Sequence, residues 1–185
     1  MKKKQGKKGF LLIEAMLATT VLVFGIVAVI PLVSFSLREA MDSRDQVIAG
    51  MLAQEGVELV QNLRDNNWVQ VPAKTAFQDN FPSSNKTDCR IDYNSSDVKT
   101  CGSSFKLYLD GSNFYAHSGA TATKFQRKIE LAFDTNNNTT AKQLVITSVT
   151  VWGTAGFPPD PISAANCNTT AKCVFTKTTL TTWHQ

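Results

Sequence analysis

Charge is scarce in this chain of 185 residues, in which Asp, Glu, Lys and Arg together make up 18%. Histidine is scarcer, with His117 and His184 alone and no motif around either; both read as ordinary surface residues. Nothing resembles a phosphate-binding loop, a nucleophile elbow or a catalytic pair of carboxylates. No enzyme activity and no cofactor is therefore expected. The four cysteines lack a tight Cys-x-x-Cys knuckle, which argues against a zinc site. A basic face is missing too, although the formal charge is +4. Lys2, Lys3, Lys4, Lys7 and Lys8 outweigh that whole charge, so the chain from Phe10 onward nets −1. The basic residues mark a tail and not a domain surface, and no nucleic-acid partner is indicated.

That basic tail runs into Gly9 and then into an apolar stretch from Phe10 to Val33. As a helix the stretch would span about 36 Å, against about 30 Å of bilayer hydrocarbon. It is too long for the apolar core of a signal peptide and has no small-residue cleavage site, so a membrane helix is expected. The lysines place the N-terminus in the cytoplasm and direct the C-terminal head to the far side of the membrane. Thr19 and Thr20 are tolerable in lipid if their hydroxyls bond carbonyls one turn back. Pro31 removes one helical hydrogen bond and is expected to bend or loosen the outer end.

Glu14 is the one charge in the stretch. A carboxylate near the centre of a membrane helix costs roughly 2.5–3.5 kcal/mol, which makes such a residue a functional candidate. One reading lets it snorkel to the cytoplasmic headgroups. The other needs a cation: cleavage after Gly9 would expose the amine of Phe10, one helical turn away. That amine on one subunit could neutralise Glu14 on its neighbour, so that the acid marks the register of assembly.

The run Lys7-Lys8-Gly9-Phe10-Leu11-Leu12-Ile13-Glu14-Ala15-Met16-Leu17-Ala18 resembles the processing and N-methylation motif of type IV prepilins and pseudopilins. The resemblance implies a membrane peptidase that cuts between Gly9 and Phe10 and methylates Phe10. It also implies that Glu14 guides packing into a filament, and Pro31 falls where many pilins have a helix-bending proline. The partners so implied are the prepilin peptidase, other pilin subunits through the N-terminal helix, an inner-membrane assembly platform and membrane lipid.

Beyond the membrane, Leu37, Met41, Ile48, Leu52, Leu59 and Leu63 keep one stripe on one helical face, widened by Val47, Met51 and Val60. Gly50 and Gly56 weaken the helix by about 1 kcal/mol each relative to alanine, so it needs packing. The stripe's outer half is expected to pack on a sheet, more than to pair as a coiled coil. Trp68 and Pro72 mark the helix exit. The segment from Ala53 to Asp65 is similar to the outer helix of minor pilins of the type IV pilus modification (PilV-like) group.

Residues 69–104 are polar and turn-rich and read as a long loop with little regular structure. Alternation then predicts strands over 105–109, 113–117, 124–133, 143–152 and 173–183. In the third, Phe125, Arg127, Ile129, Leu131 and Phe133 share a face; in the fourth, Leu144, Ile146, Ser148, Thr150 and Trp152 do. Short, turn-bearing connections favour an antiparallel meander. The strand order is again similar to the head of that minor-pilin group. The expected architecture is α+β: a cytoplasmic leader (1–9), a membrane helix (10–33), an amphipathic helix (34–68), a loop region (69–104) and an antiparallel head (105–185). The resemblance makes this the type IV pilin fold.

Cys89, Cys101, Cys167 and Cys173 are even in number in a segment expected to be exported, which favours disulfides. Three pairings are open; local closure would join Cys89 to Cys101 and Cys167 to Cys173. Asn85, Asn94, Asn137, Asn138 and Asn168 head glycosylation-type triplets, but asparagine in so Asn- and Thr-rich a head mostly serves turns. A subunit of a type IV pilus-like filament is the function this reading favours. The alternatives are a pseudopilin of a secretion or DNA-uptake system, and an unprocessed, membrane-anchored binding module.

Overall fold

The computed structural model describes residues 8–69, 79–98, 101–102 and 104–181, with side chains within the first helix from residue 12 onward. One helix, α1 (Lys8–Val69), is followed by six strands: β1 (Lys86–Cys89), β2 (Lys106–Leu109), β3 (Tyr115–Ala116), β4 (Thr121–Phe133), β5 (Gln143–Trp152) and β6 (Cys173–Thr181). The layout is α+β, a long N-terminal helix packed on an antiparallel sheet. Two compact units divide the chain at Arg44 and Asp45.

In the first unit α1 is apolar and unburied. Thr19 Oγ1 donates to the carbonyls of Ala15 and Met16, Thr20 Oγ1 to Met16 and Ser34 Oγ to Ile30. Each hydroxyl is thus satisfied within the helix, as a lipid setting requires. The helix continues through Pro31.

In the second unit the rest of α1 lies on the sheet. Its buried residues include Ala49, Leu52, Ala53, Gly56, Val57, Val60 and Leu63. Recurrence at three and four residues defines one face. The outer half of the expected stripe does pack on the sheet, with Leu52, Val60 and Leu63 buried and Ile48 and Leu59 partly buried against the core. Its centre is shifted: Val47 and Met51 are exposed, and the small residues Ala49, Ala53 and Gly56 extend the buried face on the other side. Gly56 shows why. A Cβ there would collide with Ser148 Oγ and come within 2.9 Å of Ile129 Cδ1. Small side chains let the helix backbone approach the strands, and large ones on the stripe's edge are left outside.

The sheet runs β3-β2-β4-β5-β6, with β1 sharing the free edge of β4 beside β2. All pairings are antiparallel. The order departs from a simple meander because β2, not β3, pairs with β4. The loop region also contributes a strand, since β1 lies within 69–104. Its Lys-Thr-Asp-Cys sequence has no apolar alternation; pairing with β4 and the Cys89–Cys101 bond hold it in the sheet.

β4 and β5 pair in register, bringing Phe125 opposite Trp152, Ile129 opposite Ser148 and Leu131 opposite Ile146. The helix-facing core joins Val57, Val60 and Leu63 to Ile129, Leu131, Phe133, Leu144, Ile146 and Leu180. A second cluster joins Ala49 and Leu52 to Leu107, Phe125 and Trp152. The opposite face buries Val149 and Val151 beneath the segment between β5 and β6, with Cys167 and Cys173.

Candidate functional site

Gly9 and Phe10 fall within α1, whose side chains are described only from residue 12, and Lys2, Lys3, Lys4 and Lys7 lie outside the described residues. Glu14 is four residues beyond Phe10, a little more than one turn or about 6 Å of helix rise. It is exposed, and its neighbours Leu12, Ile13, Met16 and Leu17 are each about 60% exposed. Among the described residues no cation or hydrogen-bond donor reaches it. Every large apolar side chain from Leu12 to Leu37 is more than half exposed. The segment is long and apolar enough to cross a membrane, and none of its apolar window is covered by the protein itself.

The cysteines are joined Cys89–Cys101 and Cys167–Cys173. Of the described residues, Asp88, Cys89 and Cys101 are grouped closely enough to suggest a metal site. Both sulfurs of that group are consumed by their mutual bond and cannot act as thiolate ligands.

Arg127, which alternation puts on the core side of β4, is fully buried. Its Nη1 donates to the Leu52 carbonyl of α1 at 3.2 Å, and its Nη2 to the Ile91 carbonyl at 2.9 Å. Glu55 Oε1 lies 3.3 Å away. One guanidinium therefore ties helix, strand and the segment after β1. The Arg127 carbonyl meets His117 Nε2 at 3.1 Å, and His117 Nδ1 meets Asp92 Oδ1 at 2.6 Å. His117 is thus buried and bonded through both ring nitrogens, a correction to its reading as a surface histidine. Its only sequence signal was its place in a strand-like run. Burial works against the Asp92 carboxylate, but its hydrogen bonds from His117 and the nearby charges prevail and hold its pKa below the usual value. His184 lies outside the described residues.

On the other face of the sheet, Lys128 is nearly buried between Glu130 Oε1 at 2.9 Å and Asp160 Oδ1 at 2.8 Å. Its ammonium also lies 5.5 Å from the centre of the Phe157 ring. Burial opposes the charge on Lys128, yet its bonds to the two carboxyls win and raise its pKa. Burial raises that of Glu130, aided by a proton shared with Asp160. Burial also acts against Asp160, but the bonds from Lys128 and Glu130 outweigh it and keep that group ionised. The cluster borders a groove of about 430 Å³ lined by Lys86, Thr87, Thr147 and Lys177 among others. None of these residues stood out in the sequence, because Lys128 and Glu130 occupy positions where an exposed strand face is the ordinary expectation.

Comparison with family models, with curated proteins and with solved structures yields no match. The fold and the sites define an α+β protein with a potential membrane helix and a disulfide-pinned head.

Proposed function

We propose that the chain is a minor subunit of a type IV pilus-like filament, processed by a prepilin peptidase between Gly9 and Phe10 and methylated on Phe10. The observation that carries this reading is Glu14, a lone acid four residues beyond Phe10 in an apolar helix that its own chain leaves uncovered. An uncovered apolar helix calls for lipid before assembly and for other helices after it. A buried acid calls for a cation, and the Phe10 amine freed by cleavage is of the right charge within one turn. Such an amine on one subunit can neutralise Glu14 on its neighbour, and the pair is tolerable in an apolar core only when subunits stack, which links processing to polymerisation. Two disulfides in the head are in keeping with an exported compartment. The N-terminus is then cytoplasmic and the head faces outward on the filament, or caps its tip.

Intact-mass and N-terminal mass spectrometry of protein made in a host with a prepilin peptidase tests this directly. The expected product lacks residues 1–9 and carries a methyl group on Phe10. Material that still begins at Met1 would favour an unprocessed membrane-anchored module instead. Glu14→Ala should be cleaved normally but enter filaments poorly, and normal incorporation would refute the register role.

A further inference from the structure

Outside α1, large apolar side chains of the second unit are buried or partly buried, with two exceptions among the described residues: Tyr93 and Phe114 are 44% and 57% exposed. They are not scattered. The two rings touch, with centroids 5.1 Å apart and planes tilted by 42°. Each stands on a closed turn. Tyr93 and Asn94 occupy the tip between Asp92 and Ser95, where the Ser95 amide donates to the Asp92 carbonyl and Ser95 Oγ accepts from the Asp92 amide. Phe114 ends the β2–β3 turn, in which Asp110 Oδ1 accepts the amides of Ser112 and Phe114. The Tyr93 hydroxyl locks the two turns together by donating to Asp110 Oδ2 at 2.6 Å. The first turn is also fixed from behind, since Asp92 Oδ1 accepts the His117 amide.

Rigid, exposed aromatic rings are costly in water, and two side by side offer an apolar seat with a polar edge. Their area limits the occupant. Half-exposed rings of this size offer roughly 200 Å² together, well short of the about 800 Å² per partner that a stable protein interface needs. The exposed residues of the two turns beside the rings, Asn94, Ser95, Ser112 and Asn113, are polar and uncharged, while the half-buried carboxylates of Asp92 and Asp110 are tied into the turns themselves. The Asp110 carboxylate is spent on holding the turns together, Oδ1 accepting two amides and Oδ2 the Tyr93 hydroxyl. A small ligand with an apolar C–H face and hydroxyls around its edge fits both halves of this description.

We propose that Tyr93 and Phe114 form a stacking platform for a neutral pyranose sugar, with the two turns supplying hydrogen bonds to its hydroxyls. The C–H bonds on one face of the sugar meet the electron-rich ring faces, and the amides and hydroxyls of the rim replace water at its edge. Pre-formed turns reduce the ordering cost of a weak, small contact.

The test is saturation-transfer NMR and titration on the full chain in a detergent without a sugar headgroup. The probes are cellotetraose, chitotetraose and lactose, which present glucose-, N-acetylglucosamine- and galactose-type faces. Binding of at least one probe in the millimolar range is expected, with transfer strongest to its ring C–H protons. Tyr93→Ala and Phe114→Ala should each weaken it by about tenfold or more, and Tyr93→Phe by a smaller factor, since the ring stays while its anchor to Asp110 is lost. Met51→Ala, an exposed apolar residue on α1, should leave binding unchanged. Thermal unfolding of each variant checks that the head stays folded. No binding of any probe up to about 10 mM would overturn the proposal. So would binding that survives both alanine variants.

Discussion

Two glycines six residues apart in α1 should respond to alanine with opposite signs. Gly50 would place a new Cβ in open space, with nothing within 4 Å, whereas at Gly56 the Cβ meets Ser148 Oγ, Ile129 Cδ1 at 2.9 Å and Arg127 Cδ at 3.2 Å. Both substitutions gain about 1 kcal/mol of helix propensity. For Gly50→Ala nothing opposes that gain, so the head should be stabilised by about 0.5–1 kcal/mol. For Gly56→Ala the collision with a buried hydroxyl on β5 adds an overpacking cost of roughly 1–3 kcal/mol. Ser148 is fully buried and central in the sheet, so it has little freedom to retreat. The net expectation is a loss of up to about 2 kcal/mol, and Gly56→Val should lose more. Thermal unfolding of the full chain in micelles, followed by tryptophan fluorescence through buried Trp152, reads both. At roughly 3 °C per kcal/mol the two Tm values should separate by several degrees around the wild type. If Gly56→Ala stabilises as much as Gly50→Ala, the close approach of α1 to β5 is wrong.

Arg127→Ala strips two backbone carbonyls of a buried donor and opens a cavity, and should cost about 3–5 kcal/mol by denaturant titration. Glu55→Gln should cost less than about 1 kcal/mol, because the Glu55 side chain is 36% exposed and 3.3 Å away; equal losses would mean that the ion pair, not the carbonyl ties, matters most. Glu130 binds its proton more tightly folded than unfolded, so its contribution to stability is complete at low pH and is lost as pH rises from the ordinary value of 4.5 through the raised one. Glu130→Gln keeps a donor toward Asp160 without titrating, and should therefore compare better with wild type at pH 7 than at pH 4; a pH-independent difference in unfolding midpoints would refute this.

Much of the architecture was legible in the sequence because periodicity reports burial. The alternation in 124–133 put Phe125, Ile129 and Leu131 on one face of their strand, and that in 143–152 put Leu144 and Ile146 on one face of theirs; the observed register brings these two faces together on the helix side. What was not legible came from elements whose partners lie far away in sequence. β1 is polar and four residues long, and exists because β4 offers it an edge. The burying face of α1 was misplaced by one edge because hydropathy weights Met51 and Val47 above Ala49, Ala53 and Gly56, while close packing prefers the smaller ones. His117 and Asp92 are 25 residues apart, and no local pattern announces such a pair. The Lys128–Glu130–Asp160 cluster was hidden for the same reason, since Asp160 arrives from a loop 30 residues beyond Glu130.

The inner half of α1 poses an energetic question that its own chain does not answer. Sixteen large apolar side chains from Leu12 to Leu37 are more than half exposed. At about 1.5–3 kcal/mol for full burial of each, covering what remains is worth of order 15–25 kcal/mol, more than the about 5–15 kcal/mol that holds a typical domain together. Against this, one carboxylate at Glu14 costs only roughly 2.5–3.5 kcal/mol in lipid. The acid is therefore too small a penalty to decide whether the helix enters a bilayer, and too large to be retained there without use. Glu14→Ala should consequently partition with the membrane fraction as completely as the wild type, resisting extraction by high salt and by alkaline carbonate. Under the proposed function the defect should appear only at a later step, when subunits associate. If Glu14→Ala were instead released from the membrane, apolar area would not be what holds this helix, and the separation of insertion from assembly would fail.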